Sequence, residues 1–298
     1  MHIELLAPGL LAVPQVGRLP ALELLLARGR ASAADTQGYA SWLGEAFGVA
    51  PLPAGALTAS TEGFWLRADP VHLRLVRDSM VLVPVADLQP AEAEQLVATL
   101  NRHFAGTHEF RCPRADCWVV RTAPAAIATR PAQELAGEDI DTHLPGAPWT
   151  ALLNEIQMAL HEHPVNEGRE LPVNSVWLWG AGELPRSAAG PWRSVSAAEP
   201  LALGLARAAG IRQGALPRTA AAWLAEMPED GRHLLVLEGS AEALEAGWFA
   251  PLLEALKSGR LGMVSVHVPE AGLAVETARS DLRRFWRRPR ALANHAPR

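Results

Sequence analysis

At 298 residues, with 49% hydrophobic and 20% charged side chains, the chain is long enough for one large globular domain or one domain carrying an insertion. A formal net charge of −5 argues against a general binder of nucleic acid or anionic membrane. Lys257 is the only lysine, which excludes a catalytic lysine anywhere else.

The start, MHIELLAPGLLAVPQ, lacks the basic opening and sustained apolar run of a secretion signal, and no segment approaches the roughly 18 apolar residues of a membrane helix. A cytoplasmic, bacterial-type protein is expected. Short apolar runs, several of them β-branched, predict strands over 2–7, 79–86, 117–121, 173–179, 233–238 and 262–268. Helical periodicity predicts helices over 20–29, 36–47, 90–104, 150–162, 199–209, 240–258 and 277–287. Segment 90–104 opens with Pro90 and carries Ala93, Leu96, Val97 and Leu100 on one face, while Ser240 is placed to cap 240–258. The alternation reads as α/β, with a mostly parallel sheet covered on both faces. Residues 49–62 and 123–149 are the expected crossings between domains. They divide the chain into a core of 1–60 and 150–298 and a small inserted α+β domain of 61–149.

Several chemistries are missing from the sequence. With one lysine and no Gly-x-x-x-x-Gly-Lys, a P-loop is impossible, and Gly-x-Gly-x-x-Gly, Gly-x-Ser-x-Gly, His-Glu-x-x-His and Cys-x-x-Cys are absent. His103, His108, Cys112 and Cys117 are four conceivable zinc ligands, but their spacing fits no common finger. They read as incidental groups beside a strand, and neither a metal nor a cofactor is expected. In the tail VETARSDLRRFWRRPR, six arginines surround Phe285 and Trp286. Leu282, Phe285 and Trp286 at helical spacing predict a docked C-terminal helix with solvated arginines, in preference to a site for RNA, lipid or an acidic partner.

The densest stretch is HEHPVNEGRELPVNSVWLWGAGELP, residues 161–185. Before it, Leu152, Leu153, Ile156, Ala159 and Leu160 form a core stripe, and Asn154, Gln157 and His161 a second, uncharged polar stripe that points to hydrogen-bonding partners. Pro164 ends the helix near His163. VNSVWLW then alternates as a strand into Gly180-Ala181-Gly182, whose amides either meet an anion or turn the chain.

This stretch resembles the segment of archaeal-type cofactor-independent phosphoglycerate mutases that runs His-Pro-Val-Asn, a nearby Arg, and then a Trp-Leu-Trp-Gly-x-Gly strand and turn. GRLPALELLLARG at 17–29 is similar to a helix of the alkaline-phosphatase superfamily, and 64–69 with helix 90–104 is similar to the inserted domain of those mutases. The motifs at 8–11, 65–74, 153–158, 161–166 and 172–182 together resemble a bacterial regulatory group of mutase-like proteins, named after a pathogenicity-factor regulation cluster. The resemblance implies an alkaline-phosphatase-like three-layer core with a mostly parallel sheet, plus the inserted domain. It also implies where catalysis would need two metals, held by Asp and His, and a Ser nucleophile. At the first metal position this chain has Pro8-Gly9, no Gly-Ser-Asp-x-Ala-His follows helix 20–29, and the C-terminal Asp-x-x-Gly-His is replaced by a strand ending in Glu238.

The expected function is therefore a degenerate mutase-like protein that regulates by binding. Arg67, Asp69, His72, Arg74, Asn154, Gln157, His161, His163, Asn166, Arg169 and Asn174 are expected to line a cleft between core and insert, where arginines can grip phosphate or carboxylate without metal. In the competing structural reading, Asn166 and Asn174 cap turns and Arg169 pairs with Glu167 or Glu170. The expected partner is a protein or a phosphorylated or carboxylated metabolite, with no nucleic acid and no membrane. Two alternatives stand beside this: a hydrolase or phosphotransfer enzyme with His161 or His163 as general base, and a scaffold anchored by Trp42, Trp177, Trp179 and the tail.

Overall fold

The computed structural model describes residues 1–11, 17–33, 35–226 and 229–292. It forms two compact units, Met1–Gly48 with Ala188–Arg298, and Val49–Ser187. The first unit opens with β1 (His2–Leu6), α1 (Pro20–Arg28), β2 (Arg30–Ala33) and α2 (Tyr39–Ala46). The second comprises α3 (Ala54–Ala59), β3 (Trp65–Val76), β4 (Ser79–Pro84), α4 (Pro90–His103), β5 (Glu109–Arg114), β6 (Cys117–Arg121), α5 (Trp149–Leu160) and β7 (Ser175–Gly182). The chain then returns to the first unit with β8 (Ser194–Ser196), α6 (Pro200–Ala208), β9 (Arg212–Gly214) and α7 (Ala220–Glu226). It finishes with β10 (Arg232–Val236), α8 (Ala241–Leu244), α9 (Ala250–Ser258), β11 (Met263–Val268) and β12 (Leu273–Ala278).

The first unit is built on a seven-stranded sheet, ordered β2-β12-β11-β1-β10-β8-β9. From β11 to β9 all pairings are parallel, and β12 and β2 are added antiparallel at one edge. Ile3, Leu5, Leu235, Val264 and Val266 face a core shared with Leu22 and Leu25 of α1 and Leu252 and Leu256 of α9. Each such side chain, fully removed from water, contributes ~1.5–3 kcal/mol. The other face is polar near its centre: Trp192 Nε1 donates to Glu4 Oε2 at 2.8 Å, and Arg232 pairs with Glu4. His2 Nε2 and Ser265 Oγ lie 2.8 Å apart on the same face.

The segment expected as one helix over 240–258 is capped by Ser240, whose Oγ accepts the Ala243 N–H. It is interrupted by a π-turn over Glu245–Phe249, just before Pro251 removes a backbone donor. The turn brings the Glu245 carboxylate onto the N–H groups of Ala21 and Leu22, at 2.6 and 3.1 Å. Helix α1, whose Leu19 offers no capping side chain, is thereby capped from a distant element.

In the second unit β3 is central and pairs antiparallel with β4, β6 and β7. Leu66 and Ala68 share a core with Leu96 and Leu100 of α4 and Leu152, Ile156 and Leu160 of α5. Trp65 alternates to the opposite face, beside Ala56 of α3. Helix α3 lies so close to β3 that a Cβ on Gly55 would meet the Leu66 backbone at 2.4 Å. The unit extends past the expected 61–149 because β7 pairs along β3 and α5 shares the core of α4.

The strands expected from apolar runs are β1, β4, β6, β7, β10 and β11. The helix expected over 277–287 is not formed. Val275, Glu276 and Thr277 belong to β12, paired with β11, and a short 3-10 turn follows over Arg279–Arg283. Among the described residues, no helix is long and apolar enough to cross a membrane.

Candidate functional site

All eleven residues expected to line a cleft fall within the second unit, Val49–Ser187. Those of the Pro-Val-Asn triplets have defined backbone partners. Asn166 Oδ1 accepts the Val173 N–H at 2.8 Å, and its Nδ2 donates to Val173 O at 2.9 Å. Asn174 makes the same pair of bonds with Leu73, both at 2.8 Å. Each carboxamide thus stands in for a strand partner, satisfying one donor and one acceptor of a single residue. Asn101 does the same for Phe110, at 2.7 and 2.9 Å. His72 Nδ1 lies 2.9 Å from Pro172 O, tying β3 to the second triplet.

Arg169 is nearly buried and pairs with Asp87 at 2.5 Å and Glu92 at 3.1 Å, not with Glu167 or Glu170. Glu92 Oε2 also accepts the Gln89 N–H at the start of α4, so Arg169 fastens its loop to that helix.

Arg67 and Asp69 form a second, buried network on the α3 side of β3. The guanidinium donates from Nε and Nη2 to Asp69 Oδ1 at 2.9 and 2.7 Å, reaches Thr58 Oγ1 at 3.4 Å, and lies 5.2 Å from the Trp179 ring centre. Trp179 Nε1 donates to Asp69 Oδ2 at 2.7 Å. Residues 65, 67 and 69 share this face because strand side chains alternate. Thr58 and Trp179 were not among the expected site residues; the alternation in WLRADP is the signal that places their partners.

The glycines after Trp179 serve packing. Strand β7 continues through Gly182, and a Cβ on Gly180 (φ +58°) would lie 2.6 Å from Ala54 Cβ. At Gly182 it would lie 2.7 Å from Pro53 Cβ. The Trp-Leu-Trp-Gly-x-Gly pattern thus lets the start of α3 approach β7.

His161 is 78% exposed beside Glu162, and Arg74 and Asn154 are exposed, with Gln157 half-buried. His163 is engaged on both ring nitrogens: Nδ1 accepts the Val165 N–H at 3.2 Å, and Nε2 lies 3.0 Å from Thr99 Oγ1. This leaves the Nε2 proton to donate to Thr99 and favours the neutral ring. Burial, and then the nearby Arg102, lower its pKa. A general base needs a free nitrogen facing a reacting proton, and neither histidine provides a buried one.

Cys117 is buried, and Cys112 donates to Arg114 O at 3.3 Å with its pKa pushed up by burial to about 11. Trp177 and Trp179, considered as partner anchors, are buried as well.

In parallel α/β sheets, ligand sites form at the carboxyl ends of the strands. Here those ends carry Pro8-Gly9 after β1, Glu238-Gly239 after β10 and Pro269-Glu270 after β11. Glu270 Oε2 accepts the Gly9 N–H at 3.4 Å. His267, whose pKa burial lowers to about 4, has its Nε2 buried without a partner and its ring 5.2 Å from Trp42. Glu199, after β8, accepts from the Tyr39 hydroxyl at 3.1 Å and the Ala202 N–H at 3.0 Å. Among the described residues, no group of three or more His, Cys, Asp or Glu could hold a metal ion.

No family model matches the chain. A probable 2,3-bisphosphoglycerate-independent phosphoglycerate mutase of Geobacter sulfurreducens is 28% identical over 206 residues, 58% of this chain and 51% of its own. The 2,3-bisphosphoglycerate-independent phosphoglycerate mutase of Methanosarcina mazei is 28% identical over 200 residues, 58% of this chain and 50% of its own. These sequence relatives are phosphoglycerate mutases, at low identity. The chain spans about half the length of the curated relatives it matches. Among solved structures, the PH0037 protein from Pyrococcus horikoshii has a TM-score of 0.51 at 14% identity, over 92% of this chain and 86% of that one. That likeness is one of fold.

Proposed function

We propose that this chain is a cytoplasmic, bacterial, phosphoglycerate-mutase-like protein of the pathogenicity-factor regulatory type. It lacks the two-metal site and serine nucleophile and acts by binding a metabolite or protein partner. The observation that carries this reading is the donor set at the carboxyl edge of the sheet. Where a mutase would need Asp and His ligands, β1 ends in Pro8-Gly9 and β10 in Glu238-Gly239. Proline has no ligating side chain, and isolated carboxylates do not neutralise a phosphoryl group in transfer.

A second support is that the best-kept motif residues have other work. Asn166, Asn174 and Arg169 hold backbone and loops of the second unit, and Arg67 with Asp69 forms a buried pair. Interconversion of 2- and 3-phosphoglycerate by the purified chain, with manganese supplied, tests the reading. No conversion above the buffer rate is expected. Manganese-dependent turnover that survives further purification and is lost in an E238A variant would overturn it.

A further inference from the structure

Segment 279–290 lies at the amino ends of β1 and β11, the edge of the sheet opposite the ligand edge of parallel α/β folds: the Arg279 N–H donates to Gly262 O, and the Gly262 N–H to Met1 O. Its arginines were expected to be solvated and its aromatics docked; five of the six arginines are exposed, Arg284 is half-buried, and both aromatics are exposed rather than docked. Arg284 Nη1 donates to Arg28 O at 3.0 Å and Arg287 Nη1 to Gly29 O at 2.8 Å. Arg28 Nη1 returns the bond to Leu282 O at 2.5 Å. These clamps satisfy carbonyls at the end of α1, where the helix dipole favours cations.

With the backbone so held, Phe285 and Trp286 point outward, 78% and 67% exposed, edge to face at 5.3 Å. Trp286 with Arg287, Arg288 and Arg290 lines a cleft of about 470 Å³ whose floor includes Leu26 and Ala27. Asp281, the segment's one carboxylate, is taken up by Arg284 at 2.8 Å and Arg30 at 3.6 Å, and among the described residues Arg288 and Arg290 have no ion pair.

We propose that this surface docks a short acidic segment of a partner protein, with Phe285 and Trp286 as its apolar anchors. Exposed Trp beside Arg is the composition of an interface hot spot. Charge selects the partner. Segment 279–290 carries six arginines and one aspartate, a formal +5 in a chain whose total is −5, which leaves −10 on the remainder. A second copy offering the same face would set like charge on like charge, so a symmetric self-contact is disfavoured. The chain's total of −5 disfavours the approach of a long polyanion or an anionic membrane as a whole. A short acidic segment covers the patch alone.

Fluorescence anisotropy on the intact chain, with a labelled peptide of repeating Glu-Glu-Leu-Phe as probe, tests this. Saturable binding is expected, weakened ~tenfold or more in W286A and in R288E/R290E, and weakened again by salt. The proposal fails if the peptide does not bind saturably, or if both variants bind it as the parent does. It also fails if polyuridylate or phosphatidylserine vesicles are held more tightly than the peptide. Because the altered side chains are exposed, unchanged Tm values separate lost docking from lost folding.

Discussion

Residues 161–182 and 279–290 are both dense in polar and aromatic side chains, and they end in opposite states. In the first, Asn166 and Asn174 clasp the backbones of Val173 and Leu73, and Trp177 and Trp179 are buried. In the second, Arg284 and Arg287 clasp the backbone at the end of α1, and Phe285 and Trp286 remain in solvent. The same economy of backbone satisfaction works in both. The difference is which side chains remain for the outside: none of the four in the first, and two aromatics beside exposed arginines in the second. A crowded motif therefore reports structural constraint before it reports chemistry.

The largest effect that would sharpen this contrast is at the buried pair of the second unit. Asp69→Ala leaves the Arg67 guanidinium buried without its carboxylate and is expected to cost ~3–5 kcal/mol, read as a fall in urea midpoint. Next come the motif glycine and asparagines. Gly180→Ala places a methyl against Ala54 at φ +58°, and Asn174→Ala strands the N–H and C=O of Leu73; each is expected to cost ~1–3 kcal/mol. By contrast, F285A, W286A and H161A remove exposed side chains and are expected to stay within ~0.5 kcal/mol of the parent. If W286A unfolded the chain as readily as Asn174→Ala, the two regions would not differ as described.

Acid sharpens the first unit separately. Burial holds the pKa of His2 and of His267 down to about 4, so both are neutral when folded. The folded state then binds fewer protons than the unfolded one, and stability present above pH 6.5 is lost as the pH falls towards 4. Glu4 runs the other way, because burial raises its carboxyl pKa and protonation relieves it. Urea midpoints across that range are expected to fall, less steeply in H267N. An H267N slope equal to the parent's would remove His267 from the explanation.

The parts legible in the sequence were those whose pattern is local. Strands β1, β10 and β11 hold short apolar stretches rich in Leu and Val, and α4 announces itself by Pro90 and its stripe of Ala93, Leu96, Val97 and Leu100. Edge strands β2 and β9, reading RASA and RQG, carry no such run and exist by pairing with their neighbours. Of the asparagine clasps, that of Asn166 joins Val173 seven positions on, within the stretch, whereas that of Asn174 was invisible for the same reason as the edge strands. Asn174 meets a residue 101 positions away, so spacing within 161–182 holds no trace of it. Helical spacing of Leu282, Phe285 and Trp286 misled because competing carbonyl clamps from Arg284 and Arg287 fix a different backbone. At the sheet edge, the absence of Asp and His at 8–9 and 238–239 was legible, whereas the placement of His267 against Trp42 required the fold.

The most direct measurement is thermal unfolding of the purified chain with 3-phosphoglycerate, with manganese, and with both. The proposed loss of the two-metal site predicts that manganese leaves Tm unchanged, whether or not the phosphoglycerate stabilises on its own. A rise in Tm that requires manganese and 3-phosphoglycerate together would contradict it.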